Sequence, residues 1–214
     1  MDVVLDNFGG YVDATVVTVE LTLLSFAVAF VVGVAVAAFR VSPVPPLRAV
    51  ATLWVEVLRN TPVIVLLYLF FFGLTKVGVS YSPFVSAVIV LAAYTSTFVA
   101  ETVRSGINSV SRGQAEAGRA LGLTFPQLLV LVVLPQALRT VVAPLGSVFI
   151  ALIKNSAIAG AFAVIDIFGF SKSLLNADAP PIATLVGAAI AYLVLALPAG
   201  WGVGFVERRV AIRR

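Results

Sequence analysis

Apolar residues run along this chain in long blocks rather than in alternation, and the blocks can be measured against a membrane. Crossing a hydrocarbon core of roughly 30 Å as a helix takes about 20 mainly apolar residues. Five blocks reach that length, at residues 15–39, 49–74, 84–104, 125–153 and 182–206. Each predicts a helix, which satisfies its backbone hydrogen bonds internally as lipid requires. The expected fold is therefore an all-α integral membrane protein with five transmembrane helices, forming one domain over residues 1–214. The block at 84–104 could turn back inside the membrane instead, although it is long enough to cross.

Composition agrees: 61% of residues are hydrophobic and 11% charged, with a mean hydropathy of +1.10. A soluble domain carries about 25% charged residues, so too little polar surface is left for a water-soluble protein. The chain has no cysteine and no histidine, which removes disulfides, thiolate chemistry and the commonest metal ligand, and no metal site is expected. The net charge of +4 does not point to nucleic acid, because the bases lie beside apolar blocks rather than on a soluble face. The lipid bilayer is the expected surrounding. Asp2, Asp6 and Asp13 occupy the start without a Lys or Arg, unlike the basic opening of a cleaved signal peptide, so the first block reads as a permanent span.

The basic residues also orient the chain. Arg40 and Arg48 flank a proline-rich turn between the first two blocks, and alternation places Arg104, Arg112, Arg119, Arg208, Arg209, Arg213 and Arg214 on that same side. Lys76, Lys172 and Lys154 fall on the other. This excess of positive charge predicts an external N-terminus and a cytoplasmic C-terminus.

Between the third and fourth blocks the hydrophobic pattern breaks and two helix starts follow. Ser111 and Gln114 have capping-box spacing, Gly122 is a stop signal, and Thr124 with Gln127 repeats the box around Pro126. A short cytoplasmic helix over about 111–122 is expected. Gly113, Ala117 and Leu121 share one face, and Ala115, Gly118 and Ala120 keep its neighbours small. So short a helix is marginal alone in water. It either packs beneath its own bundle as a connector or docks in a partner's groove, and the residues by themselves leave both open.

Glu116-Ala117-Gly118, then Gly122, then Leu134-Pro135 resembles the Glu-Ala-Ala signature of ABC importer permeases, with Gly118 for the second alanine and Val132 for an isoleucine. The resemblance implies that the short helix is a coupling helix seated on cytoplasmic ATPase subunits. Gln114, Glu116, Ala117, Gly118, Ala120 and Gly122 are its candidate coupling residues. Arg59-Asn60-Thr61-Pro62, Ala100-Glu101, Arg104-Ser105-Gly106-Ile107, Leu134-Pro135-Gln136-Ala137 and Leu152-Ile153-Lys154-Asn155 are similar to the polar amino acid class of these permeases. Arg40-Val41-Ser42-Pro43 and Pro144-Leu145-Gly146 look most like a permease subunit of glutamate uptake systems. The partners implied are a second permease subunit, with a sister chain forming a heterodimer, an extracytoplasmic amino acid binding protein, and the ATPase pair. A phosphate-binding Gly-rich loop with its Lys-Ser/Thr is missing from the sequence, so ATP and Mg are expected on the partner ATPase, with no cofactor and no catalytic residue in this chain. The implied location is the bacterial inner membrane.

Ionisable residues within a span are costly unless paired or facing a cavity, and so mark function. Glu56 and Arg59 stand three apart, as do Glu101 and Arg104, giving local pairs; the second pair also suits a structural role at the interface. Arg59 precedes Pro62, which breaks the helix. An acidic amino acid needs a cation and polar donors along its way. Arg59, Ser96, Thr97, Lys154, Asn155 and Ser156 are the substrate-pathway candidates, although Lys154 could simply snorkel to the outer interface. The family often has Lys-Asp-Thr-Ser where this chain has Lys154-Asn155-Ser156-Ala157, and the loss of an aspartate suits an acidic cargo. The alternatives are an importer permease for glutamine or arginine, or a gradient-driven secondary transporter, for which no clear internal repeat is found.

Overall fold

The structure, a computed structural model, describes residues 2–210. A short helix, α1 (Asp2–Asp6), leads into α2 (Phe8–Val41). At 1.5 Å per residue α2 is about 51 Å long, more than the hydrocarbon core needs. After the Ser42-Pro43 turn, α3 (Pro45–Arg59) begins with a proline in its first turn, where the missing N–H breaks no bond.

The block expected as one span over 49–74 is two helices. α3 ends at Arg59 and the chain turns by 100° into α4 (Val63–Lys76). Pro62 has no N–H to continue the ladder and pushes Thr61 out of helical geometry. The last carbonyls of α3 are met locally: Thr61 N donates to that of Leu58 at 3.4 Å and Thr61 Oγ1 to that of Val57 at 2.7 Å, while the Glu56 carbonyl accepts from both Asn60 N and Asn60 Nδ2. A π-type turn at Leu69–Gly73 widens α4.

Helix α5 (Pro83–Ser109) is continuous for 27 residues and starts where Ser82 Oγ accepts from Val85 N, so the block at 84–104 does not turn back. Next come α6 (Arg112–Ala120), α7 (Phe125–Leu128), a π-type turn at Leu129–Val133, and α8 (Leu134–Asn155). A 3-10 turn over Ser156–Phe162 precedes α9 (Ile167–Asn176) and α10 (Pro181–Val210). No strand occurs among the described residues. Among the described residues four helical runs are long and apolar enough to cross a membrane, and five when the bent pair α3 and α4 counts as one.

Neighbouring contacts fix the directions. Leu21 packs in one cluster with Leu91, Gly33 lies against Ser96 and Val99, and Arg40 meets Glu101, so α2 and α5 run parallel. α8 runs antiparallel to both: Thr140 Oγ1 is 3.3 Å from Ser109 Oγ, and Phe149 meets Phe26. Arg40, Arg48, Arg104, Arg112, Arg208 and Arg209 therefore gather at one end of the bundle, with Lys76 and Lys172 at the other.

The buried face of α2 is mostly small or hydroxyl-bearing while its outer face is large and apolar, the arrangement lipid favours. α2 buries Ala14, Thr18, Thr22, Ser25, Ala29, Gly33 and Ala37 and exposes Leu23, Leu24, Phe30 and Val31. At Gly33 a Cβ atom would lie 2.6 Å from Val99 Cβ and 2.8 Å from the Ser96 carbonyl oxygen, so only glycine permits this approach.

Helix α9 was not foreseen from the sequence. Asp166, fully buried, caps it by accepting from Gly169 N at 2.8 Å and also accepts from Tyr192 Oη at 3.3 Å. Ile167 N donates to Thr18 Oγ1 at 3.1 Å, and Tyr11 Oη donates to the Thr184 carbonyl at 2.9 Å. These bonds tie α2, α9 and α10 together at the end away from the arginines.

Candidate functional site

Glu101, on α5 near the arginine-bearing end, collects three guanidinium groups. Arg40 from α2 binds Oε1. Arg104, one turn on, donates to Oε2 through Nη2 at 2.8 Å and Nε at 3.3 Å. Arg59, from the end of α3, stands 4.0 Å from Oε1 with half of its side chain exposed, beyond hydrogen-bond reach. One carboxylate thus faces three cations, and the corner carries a net positive charge.

The expected pairing of Glu56 with Arg59 does not form. Glu56 Oε2 accepts from Asn60 Nδ2 at 3.1 Å, while Arg59 turns inward across the bundle, its Cζ 6.0 Å from the centre of the Phe98 ring. The helix stops directly after Arg59, which frees that side chain to turn toward the shielded carboxylate of α5.

A cleft of about 410 Å³ opens beside the cluster, between α3, α5 and α8. Arg59, Glu101 and Arg104 form its charged wall, and Thr102, Ser105 and Thr140 add hydroxyls. Farther along α5 and α8 a narrower cleft of about 90 Å³ is bordered by Tyr94, Phe98, Ala151 and Asn155. Lys154 is exposed one residue away.

Of the pathway candidates, Arg59, Lys154 and Asn155 lie on these accessible surfaces, and Ser96, Thr97 and Ser156 do not. All three hydroxyl residues are fully buried within the chain. Ser96 Oγ donates to the Ala93 carbonyl at 2.6 Å and accepts from Trp54 Nε1 at 3.1 Å; Thr97 Oγ1 donates to the Tyr94 carbonyl, and Ser156 Oγ to that of Ile153. Ser96 faces α2 and α3, where its carbonyl lies against Gly33 and its hydroxyl meets Trp54. Thr97, although one turn before Glu101, is closed off by its neighbours.

Helix α6 projects beyond the arginine-bearing end. Gln114, Glu116, Ala117 and Ala120 are exposed, and Leu121, which closes the helix, is 83% exposed. Gly118 alone turns inward, where a Cβ would press on Leu128 Cδ1 at 2.5 Å. Its place in an alanine position is thus a packing matter: the missing methyl lets α6 lie close over α7. Gly122 has φ +80°, a left-handed value that glycine adopts freely. Ser111 stands at the helix start without a side-chain cap bond, while Gln127 Oε1 does reach back to Thr124 N at 2.9 Å.

Membrane-length helices around a polar, charge-bearing corner are the makings of a multi-pass membrane protein. The chain belongs to the family described as binding-protein-dependent transport system inner membrane component, which matches residues 29–212. It is 37% identical over 210 residues to a probable glutamine ABC transporter permease protein, GlnM, of Bacillus subtilis, covering 98% of this chain and 97% of that one. It is 38% identical over 211 residues to the glutamate transport system permease protein GluC of Corynebacterium glutamicum, covering 92% of each. Among solved structures, an amino acid ABC transporter with histidines superposes with a TM-score of 0.92 at 30% identity, over 96% of both chains. The permease resemblance carried by Glu116, Gly122 and Leu134-Pro135 is borne out, and the fold is that of an ABC permease.

Proposed function

We propose that this chain is the membrane permease subunit of an ABC importer that brings a polar amino acid, glutamate first among the candidates, into the cytoplasm by alternating access. The observation that carries the reading is the match of nearly the whole chain to amino acid permeases, set beside a cationic cleft at the arginine-bearing end. The surplus of guanidinium over carboxylate suits an anionic solute. Glutamine is the second reading, because one of the relatives is described as a glutamine permease. The test is uptake of labelled glutamate into proteoliposomes that hold the chain with its co-expressed partners. ATP-dependent uptake competed by aspartate supports the assignment, competition chiefly by glutamine moves the cargo, and uptake driven by an ion gradient without ATP overturns the class.

In this reading the arginine-bearing end is cytoplasmic, the N-terminus external and the C-terminus cytoplasmic. Helix α6 is the coupling helix, offering Gln114, Glu116, Ala117, Ala120 and the Leu121 side chain to a groove of the ATPase, with Gly118 and Gly122 setting its seat and its exit. ATP and Mg belong to that partner, and the chain itself performs no covalent chemistry. A sister permease chain completes the membrane unit, and an external binding protein delivers the cargo. Reversing the charge in Glu116→Lys is expected to cut co-purification of the ATPase and ATP-driven uptake by about tenfold, on the order of 1.4 kcal/mol of lost docking. Unchanged association and uptake would remove α6 from the contact.

Arg59, Lys154 and Asn155 are the accessible residues proposed to meet the cargo; Ser96, Thr97 and Ser156 lie buried behind them, Ser96 joining α5 to α3 through Trp54. Lys154→Gln removes the exposed cation at the external mouth. It is expected to raise the KM for glutamate several-fold, about 1 kcal/mol for one charge in a wet site, with little change for glutamine. An equal effect on both cargoes, or none, would return Lys154 to a purely interfacial role.

A further inference from the structure

The outer face of α10 changes character along its length. Ile190, Val194, Leu197, Trp201, Phe205 and Arg208, all exposed, recur at intervals of four, three, four, four and three, which places them on a single helix face. The first part of this strip is an apolar groove of about 290 Å³ bordered by Ile190, Leu193, Val194, Leu197, Pro198 and Trp201. From Ile190 to Trp201 the helix advances about 16 Å, half of a hydrocarbon core of roughly 30 Å and so the depth of one leaflet. Trp201, 72% exposed, then stands where tryptophan settles, at the boundary between acyl chains and headgroups.

Beyond that boundary the strip turns cationic. Arg208 continues the face, and Arg209 lies over the Phe205 ring with its Cζ 4.5 Å from the ring centre. Side chains on a helix lean toward its N-terminus, so both guanidinium groups reach back toward the groove. A third cation comes from α8, which packs antiparallel to α10 with Gly146 against Val203 and Ile150 near Gly200; Arg139 stands seven residues before Gly146 on the same side of α8. Glu207, the neighbouring carboxylate, falls on another face of α10. Arg40, Arg59 and Arg104 surround Glu101, whereas among the described residues Arg139, Arg208 and Arg209 join no ion pair. The groove is also apart from the Glu101 cleft: α8 meets Gly106 of α5 through Val141 and meets α10 on another flank, through Gly146.

Any acyl chain satisfies the groove, but the unpaired cations at its end call for an anion one leaflet away from Ile190. We infer that this strip of α10 is a binding site for an anionic phospholipid of the leaflet at the arginine-bearing end. One acyl chain lies along the groove from Trp201 to Ile190, and Arg208 and Arg209, with Arg139 beside them, hold the phosphate. Guanidinium groups bind phosphate through paired N–H donors, and basic clusters beside a span select anionic headgroups. The site needs only the membrane placement of the chain, so its failure leaves the importer assignment standing.

The test uses the assembled transporter in vesicles of phosphatidylglycerol or phosphatidylcholine that carry a photoreactive diazirine in the acyl chain, with labelled peptides identified after illumination. Peptides from α2, whose outer face exposes Leu23, Leu24 and Val31, report ordinary lipid contact and intact folding. Relative to them, phosphatidylglycerol is expected to label residues 190–201 at least about tenfold more than phosphatidylcholine does. Arg208→Gln combined with Arg209→Gln should remove most of that preference, and the corresponding pair of lysine substitutions should keep much of it. Val194→Trp, which fills the groove and leaves the arginines, should lower labelling of α10 by either lipid. Equal labelling by the two lipids, or a preference untouched by the glutamine pair, would overturn the proposal and reduce the strip to ordinary lipid contact. Labelling of α2 without α10 would also overturn it, by showing that another protein surface, such as a second copy of the chain, covers this face. Competition by soluble glycerol phosphate as strong as that by unlabelled phosphatidylglycerol would do the same, by marking a site for free anions.

Discussion

Replacing Glu101 by glutamine is expected to abolish transport and destabilise the helix bundle by about 2 to 3 kcal/mol. Breaking a buried ion pair from one side costs roughly 3 to 5 kcal/mol, and the partial exposure of Arg59 and Arg104 moderates this. Glutamine keeps the shape but not the charge, and leaves three guanidinium groups around one point. Arg40 suffers most, because only 12% of its side chain is exposed and its partner is lost. Thermal unfolding of the purified complex, followed alongside uptake, measures both effects. Adding Arg40→Gln should recover part of the stability by removing the stranded charge. If the two losses simply add, Glu101 does not hold Arg40 in the way the geometry indicates.

Gly33→Leu should be worse for folding. A Cβ at this position already stands within 3 Å of Val99 Cβ and of the Ser96 carbonyl oxygen, and a backbone oxygen cannot swing aside as a side-chain tip can. α2 and α5 would have to separate along their most extensive mutual contact. Overpacking in a tight interior costs about 1 to 3 kcal/mol, and a branched side chain against backbone belongs above that range. The expected result is little or no monodisperse protein after detergent extraction. Gly9→Leu, on the same helix with nothing within 4 Å of its Cβ position, should extract normally. Comparable yields for the two variants would show that the α2/α5 approach is not close.

The helical membrane architecture was legible because lipid imposes one rule on every residue of a span, and a run of apolar side chains states it directly. The short helix α6 was legible for a similar reason, since Ser111, Gly122 and Thr124 punctuate it locally. What stayed hidden depends on relations between helices. Asn60-Thr61-Pro62 announces a break, but the 100° turn is set by how α3 and α4 pack. Glu101 reads as a partner of Arg104 from spacing alone, and nothing local says that Arg40, 61 positions earlier, also reaches it. Ser96 and Thr97 carry suitable chemistry in the sequence, and only the packing of other helices closes both side chains off inside the chain. Helix α9 is only ten residues long; Asp166 caps it locally, but Thr18 and Tyr192, which hold that cap region in place, come from two other helices, so the local stretch contains only part of its reason.

The right-angled course of the second apolar run also bears on the bilayer. Its arms are fifteen residues in α3 and fourteen in α4, about 22 Å and 21 Å of helix, each shorter than a hydrocarbon core of roughly 30 Å. Bent by 100°, they do not add along one axis, so a segment long enough to cross is spent partly on depth and partly on lateral footprint. Arg59, at the end of α3, lies beside the carboxylate that Arg40 binds just before that helix begins, so α3 is the arm spread along the plane of the membrane, while α4 climbs beside α5, where Phe70 stacks on Tyr81. The protein widens at that level, and acyl chains beside this corner meet a hydrophobic wall shorter than themselves, a local thickness mismatch.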